Sequence, residues 1–348
     1  MNPMSELPAV KVVEGCRPND IPPEVLGSDE PVLLKGLVSE WPAVTTCKRS
    51  LPEAAQYLSR FWTNELVTVY VSEDNEGRFF YNDDFTGFNF RAGTAHFGQV
   101  MQKLAEHSGS DGQAIYMGST NVDRWLPGFR EENDVAMPSK DGLVSIWIGN
   151  RTRISAHYDF PDNIACVVAG ERRFTLFPPE QIENLYVGPI DRTPSGQAIS
   201  LVDFNNPDFE KFPRFAEALK HAQICDMEPG DAIFLPSMWW HHVESFSAYN
   251  ILVNYWWNEA SADTGSPFDV LLHALLVIRD MPPRQREAWR IMFDNYVFSQ
   301  HGDPLAHLPP ETHGTLGRHD ARAKQQIRMM LLGLLSRQAG LRPPHSAR

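Results

Sequence analysis

Apolar and polar positions follow two different rhythms along this chain. From Gly142 to Trp257, short runs rich in β-branched and aromatic residues (LVSIWI, NIACVVAG, RRFTLF, DAIFLP, NILVNYWW) alternate with clusters of Pro, Gly, Asn and Asp. This spacing predicts strands joined by turns, and it favours an antiparallel sandwich or barrel over βαβ units. Upstream, PVLLKGLVSEW (31–41) predicts a short strand followed by a glycine, and LPEAAQYLSRF (51–61) predicts a helix with Pro at an early position. After Trp257 the period becomes helical, over 268–279, 284–298 and 321–338, with Pro282–Pro283 and the Pro/Gly-rich stretch 303–317 as breaks. The chain thus divides into an N-terminal arm (1–30), a mainly β domain with an α/β preamble (31–260) and a C-terminal helical region (261–348). A long polar insert at 178–228 interrupts the strand series, either as a lid or as a surface excursion. The last helix, ARAKQQIRMMLLGLLSRQ, is too apolar on one face to stay in water. It is expected to pack on the barrel or to pair with a second subunit as a homodimer.

Composition narrows the class. A chain of 348 residues, 42% apolar, is long enough to bury a core without disulfide support. With 31 Lys+Arg against 44 Asp+Glu the net charge is −13, which makes nucleic acid an unlikely partner, since its phosphates are bound by clustered cations. Cys16, Cys47, Cys166 and Cys225 lie far apart and suggest neither a disulfide framework nor a zinc knuckle. The N-terminal text reads as no signal peptide, and no apolar run reaches the ~18–20 residues that span a bilayer. The expectation is a cytoplasmic protein without a membrane segment.

The candidate chemistry starts at His157-Tyr158-Asp159. On a strand, residues i and i+2 share a face, so an imidazole and a carboxylate would project side by side. HxD occurs often by chance, and a third ligand must come from elsewhere. It is supplied 84 residues on by PGDAIFLPSMWWHH, where a turn feeds an apolar strand, an aromatic pair and two histidines. Strand neighbours point to opposite faces, so one histidine suffices: His241 is taken as the ligand, and His242 as a supporting or solvent residue. Two imidazoles and a carboxylate leave coordination positions open, which suits non-haem Fe(II) and oxygen chemistry. The candidate metal ligands are therefore His157, Asp159 and His241.

A turn at Gly170-Glu171 puts Arg172, Phe174 and Leu176 on one face of the next strand. A guanidinium there calls for an anion, and a co-substrate carboxylate is a natural one; the alternative is that Arg172 or Arg173 reaches solvent. Asn250, Leu252, Asn254 and Trp256 share a face in the same way. Asn254 is either a donor to a ligand carboxylate or a structural hydrogen-bonding residue. Trp147, Trp239, Trp240 and Trp256 are candidates for a dry aromatic pocket. His301, His307, His313 and His319 recur every six residues, a period of neither helix nor strand, and are set aside as coincidence.

PVLLKGLVSEWPA (31–43), AHYDFPDNIACVVAGERRFTLFPPEQ (156–181), VDFNNPDFEKFPRF (202–215), PGDAIFLPSMWWHHVES (229–245) and NILVNYWW (250–257) occur in this order. Together the text resembles the cupin-like JmjC oxygenases, in particular those that hydroxylate an asparagine of the hypoxia-inducible factor. The resemblance implies a double-stranded β-helix, or jelly roll, holding Fe(II) through His157, Asp159 and His241. It also implies 2-oxoglutarate as co-substrate, with contacts from Arg172, Tyr116, Asn163 and Asn254. Arg172 stands where the family has Lys, and Ile154 where it has Thr. The activity implied is a 2-oxoglutarate-dependent dioxygenase that uses O₂ to hydroxylate a C–H bond, releasing succinate and CO₂. The substrate expected is a protein or peptide side chain, or a small molecule. The alternative is a metal-binding cupin without oxygenase activity, either an isomerase or a small-molecule- or sugar-binding module.

Overall fold

A computed structural model describes residues 7–72, 77–109, 113–139, 141–194, 196–258 and 262–341. The chain forms two compact units, 1–259 and 260–348. The first is built on fourteen strands: β1 (Lys11–Glu14), β2 (Val32–Lys35), β3 (Val67–Ser72), β4 (Arg78–Phe79), β5 (Phe90–Ala95), β6 (Ile115–Asn121), β7 (Leu143–Gly149), β8 (Thr152–His157), β9 (Asp162–Ala169), β10 (Arg172–Phe177), β11 (Gln223–Met227), β12 (Ala232–Leu235), β13 (Trp240–Ser245) and β14 (Asn250–Trp257). Nine make a sheet in the order β1-β2-β12-β9-β14-β7-β6-β3-β5, and five make a second, β11-β10-β13-β8-β4. Pairing is antiparallel except β1 with β2 and β4 with β8. This is the antiparallel sandwich that the strand spacing predicts, in the jelly-roll form with flanking helices that the resemblance implies.

Alternation explains where the core lies. Leu33, Val167, Ile233 and Leu252 from the large sheet meet Phe174, Leu176 and Val243 from the small one. The other face of the large sheet is covered by the preamble helices Pro42–Cys47 and Leu51–Ser59 and by the helix Phe97–Glu106. That third helix buries Phe97, Val100, Met101 and Leu104, an i, i+3, i+4, i+7 stripe. At the turn out of β9, Gly170 has φ +78°, which only glycine adopts without strain, and this sets the register of β10. The PGD turn is fixed by the buried Asp231, whose carboxylate accepts from Lys35 Nζ and from the backbone N–H groups of Gly36 and Glu228. The four cysteines are free, and all but Cys16 are buried.

The 178–228 insert folds down rather than trailing off. Leu185, Val202, Phe204, Phe215 and Ala218 make their own cluster with Phe177, Tyr158 and Trp240. His242 joins that side. It is buried, not solvated as the sequence allowed, with its ring 4.7 Å from Phe204. Burial, then the nearby Arg78 and Arg153, hold its imidazole down at about 3 from the ordinary 6.5. A depressed folded-state value means the unfolded chain binds the proton first. The stability from this group is therefore complete above pH 6.5 and is lost as the pH falls towards 3, by about 2 kcal/mol at pH 5. Denaturation at pH 7 and pH 5 should show a gap smaller by that amount in His242→Leu; an unchanged gap would refute the assignment.

The second unit holds the helices Pro267–Val277, Pro283–Tyr296 and Ala321–Gln338. Leu331, Leu332, Leu334 and Leu335 of the last stay 41–46% exposed. Among the described residues no helix is long and apolar enough to cross a membrane.

Candidate metal centre

The end of β8 and the start of β13 are cross-strand neighbours, with His157 opposite His241. Their rings lie 4.3 Å apart between centroids. Asp159 sits two residues beyond His157, past the end of the strand. The alternation carries on past that end: His157 and Asp159 face the same cavity, while Tyr158 between them packs against Trp240. Met238 N–H donates to Asp159 O at 2.9 Å and holds this segment in place. One ligand atom from each of His157, Asp159 and His241 lies within 4.8 Å of the others, a spacing that could hold a metal ion. His241 Nε2 is 3.6 Å from Asp159 Oδ2.

Both imidazoles are oriented by the backbone. His157 Nδ1 is 2.9 Å from Ser155 O, and His241 Nδ1 is 2.9 Å from Trp239 O. A carbonyl only accepts, so each Nδ1 carries the proton and each Nε2 presents its lone pair to the same point. Burial, reinforced by His241, pulls His157 down to about 4. The ring is thus neutral, the form that ligates metal. Asp159 Oδ2 accepts from Trp256 Nε1 at 3.1 Å. Trp256→Phe keeps the ring and removes that donor, so metal affinity should fall ~10–100-fold. Competitive chelator titration measures it, and an affinity equal to the native chain would show the indole to be packing alone.

The triad opens into a cavity of about 430 Å³ between the sheets. Arg172, Tyr116, Asn163, Asn254, Trp147 and Trp256 all line it. Trp239 and Trp240, expected in the same wall, do not. Trp239 donates its indole N–H to Asp29 O, and Trp240 packs under the insert. Phe174, Ile154, Tyr70, Phe79 and Phe90 complete the wall instead. The last three come from β3, β4 and β5, whose place beside the site follows from sheet order rather than from any local motif. The VTVYV alternation at 67–71 is the one signal that could have flagged Tyr70.

Arg172 is only 4% exposed, and its Nε finds no hydrogen-bond partner. Among the described residues no carboxylate pairs with it. Desolvation brings the guanidinium down to about 10, with the Tyr116 phenol acting against that fall. Burial drives the Tyr116 phenol well above its ordinary value. Arg173 takes the outward position and pairs with Asp226 at 2.6 Å, so alternation separates the two arginines. A desolvated, unpaired cation calls for an anionic ligand.

Asn254 is committed at both ends of its amide. Trp147 Nε1 donates to its Oδ1 at 2.6 Å, and its Nδ2 donates to Asn163 Oδ1 at 3.3 Å. Because an indole N–H can only donate, this chain fixes both amides and turns the Asn163 Nδ2 group towards the cavity.

A jelly roll with two histidines and one carboxylate on the wall of its inter-sheet cavity defines a cupin-type, JmjC-like protein with a candidate metal site. The chain belongs to the cupin-like domain family, which matches over residues 18–263. It is 29% identical over 282 residues to tRNA wybutosine-synthesizing protein 5 of Gallus gallus, covering 74% of this chain and 80% of that one. It is 36% identical over 115 residues to lysine-specific demethylase JMJ31 of Arabidopsis thaliana, and 35% identical over 127 residues to HSPB1-associated protein 1 of Homo sapiens. Those stretches cover 33% and 36% of this chain but only 20% and 25% of the relatives. The comparisons carry the wider family and do not single out its asparagine-hydroxylating branch.

Proposed function

We propose that the chain is a 2-oxoglutarate- and Fe(II)-dependent oxygenase that hydroxylates a C–H bond of a protein or peptide side chain, with succinate and CO₂ as co-products. The observation that carries this reading is the buried, unpartnered Arg172 in the same cavity as the His157-Asp159-His241 cluster. The donor set fits Fe(II): two neutral imidazoles and one carboxylate leave positions for a chelating co-substrate and O₂. Bound iron with 2-oxoglutarate supplies the oxidising power that opens the C–H bond. Arg172 would take the far carboxylate of the co-substrate in its planar fork, and Asn163 would donate to an oxygen nearer the metal. Trp147, Trp256 and Tyr116 keep water from the reacting atoms. No side chain need move a proton in this scheme.

Two other readings rest on specific observations. The likeness to a tRNA wybutosine-synthesizing protein over most of both chains favours a tRNA nucleoside as substrate; the net charge of −13 opposes it. Arg172 and Ile154, in place of the Lys and Thr implied by the resemblance, favour a cupin that binds another anion without oxygenase chemistry. The exposed leucines of Ala321–Gln338 support a second copy of the chain as partner.

Calorimetric titration of 2-oxoglutarate into anaerobic protein loaded with Fe(II) or Mn(II) tests the proposal. Metal-dependent binding is expected, weakened about 10-fold in Trp147→Phe, where Asn254 loses the donor that orients it and Asn163, with metal affinity unchanged. No binding to the metal-loaded native chain would leave the non-oxygenase cupin as the better account.

A further inference from the structure

The cavity has a second end that the proposed co-substrate does not use. Among its described lining residues, the ionised side chains are Asp159 and Arg172, both in the polar half with the metal ligands and the asparagines. The other half is Tyr70, Phe79, Phe90, Pro194 and Ile199, with Ser119 and Gly196 exposed at the mouth. This wall is preformed. Tyr70 meets Phe90 edge to face at 5.6 Å, Phe79 meets Phe90 at 5.4 Å, and Phe88 stacks behind Phe90 at 5.0 Å. Gly118 makes room for it, since a Cβ there would lie 2.8 Å from Tyr70 Cε2.

We propose that this half receives an uncharged, apolar group as the reacting part of the substrate, and that it rejects an ammonium, free or methylated. The inference rests on the oxygenase reading above. An aromatic wall attracts cations through its ring faces, so the two effects must be weighed. A desolvated cation–π contact gains about 2 kcal/mol, whereas stripping water from an ammonium costs several kcal/mol unless a carboxylate meets it. The one carboxylate in the wall is Asp159, and it is spent on the metal cluster and on Trp256 Nε1. Arg172 and a bound divalent ion add like charge. An apolar group loses no hydration of that kind and gains about 25 cal/mol per Å² buried. The balance favours a neutral C–H-bearing group.

The test uses two probes of one shape, 3,3-dimethylbutan-1-ol and choline, which differ by a single positive charge. Each is titrated into full-length protein loaded with Mn(II) and 2-oxoglutarate, and line broadening of the probe's methyl protons by Mn(II) reports entry. The alcohol is expected to be broadened and choline to bind at least 10-fold more weakly. Gly118→Val, which forces Tyr70 into the space, and Phe90→Ala, which removes part of the wall, should each weaken the alcohol about 10-fold while 2-oxoglutarate still binds. Choline binding as well as the alcohol would overturn the proposal in favour of a methylated-amine cage. Absence of broadening by the alcohol would overturn it as well. If 2-oxoglutarate itself fails to bind the Mn(II)-loaded chain, the oxygenase reading falls, and the same probe pair titrated without it still decides the polarity of this wall.

Discussion

Asp159→Ala is expected to lower metal affinity by at least 100-fold and to bring 2-oxoglutarate turnover below detection, with little change in the fold. Two neutral imidazoles alone offer a divalent ion no compensating charge, and the carboxylate is the single anion among the three candidate ligands. The fold should tolerate the change because Asp159 lies past the end of β8 and its backbone O, which survives the substitution, takes the bond from Met238 N–H. The lost side-chain contact is one hydrogen bond from Trp256, a cost of about 1 kcal/mol. Metal titration with a chelator competitor and denaturant unfolding of the metal-free chain read the two halves separately. Native-like metal affinity in a folded variant would remove Asp159 from the ligand set and with it the iron chemistry.

Much of this site could be read from the sequence because its information is local. The parity of β10 sets Arg172 inward and Arg173 outward, and the structure has Arg172 on the cavity wall and Arg173 on Asp226. The pairing of His157 with His241 needed only that two motif-bearing strands be neighbours in one sheet, and β8 and β13 are. Parity held even past the end of β8, where Asp159 stays on the side of His157 and Tyr158 faces Trp240. It could not tell which inward aromatic reaches the cavity: Trp239 joins the inter-sheet core outside the lining, and Trp240 faces the insert. Apart from the VTVYV alternation around Tyr70, the wall of Tyr70, Phe79 and Phe90 was not legible, because it depends on β3 and β5 lying beyond β6 in the large sheet and on β4 joining β8 in the small one. The Trp147–Asn254–Asn163 chain was half legible. The residues could be named, but which amide faces the ligand follows from a donor-only indole two strands away.

Arg172→Met should separate function from stability in opposite directions. Binding of 2-oxoglutarate is expected to weaken by at least 100-fold, since the variant has no fork for the far carboxylate and the described lining residues include no other Lys or Arg. The metal-free, ligand-free chain should meanwhile become more stable by about 1–3 kcal/mol, because the native side chain keeps a desolvated charge with an unpartnered Nε, and methionine fills similar volume without that cost. The pull of Arg172 to about 10 has the same cause, an unfavourable environment for the charged form. Isothermal titration measures the first effect and urea denaturation the second. A destabilised variant would mean that Arg172 is satisfied by partners within the protein and is a structural residue. A stabilised variant that still binds 2-oxoglutarate with native affinity would place the co-substrate elsewhere. A gain in stability joined to a loss of binding is what a site held ready for an anion produces, and Arg172→Lys should then recover part of the binding, because a point charge replaces the fork without its two-pronged geometry.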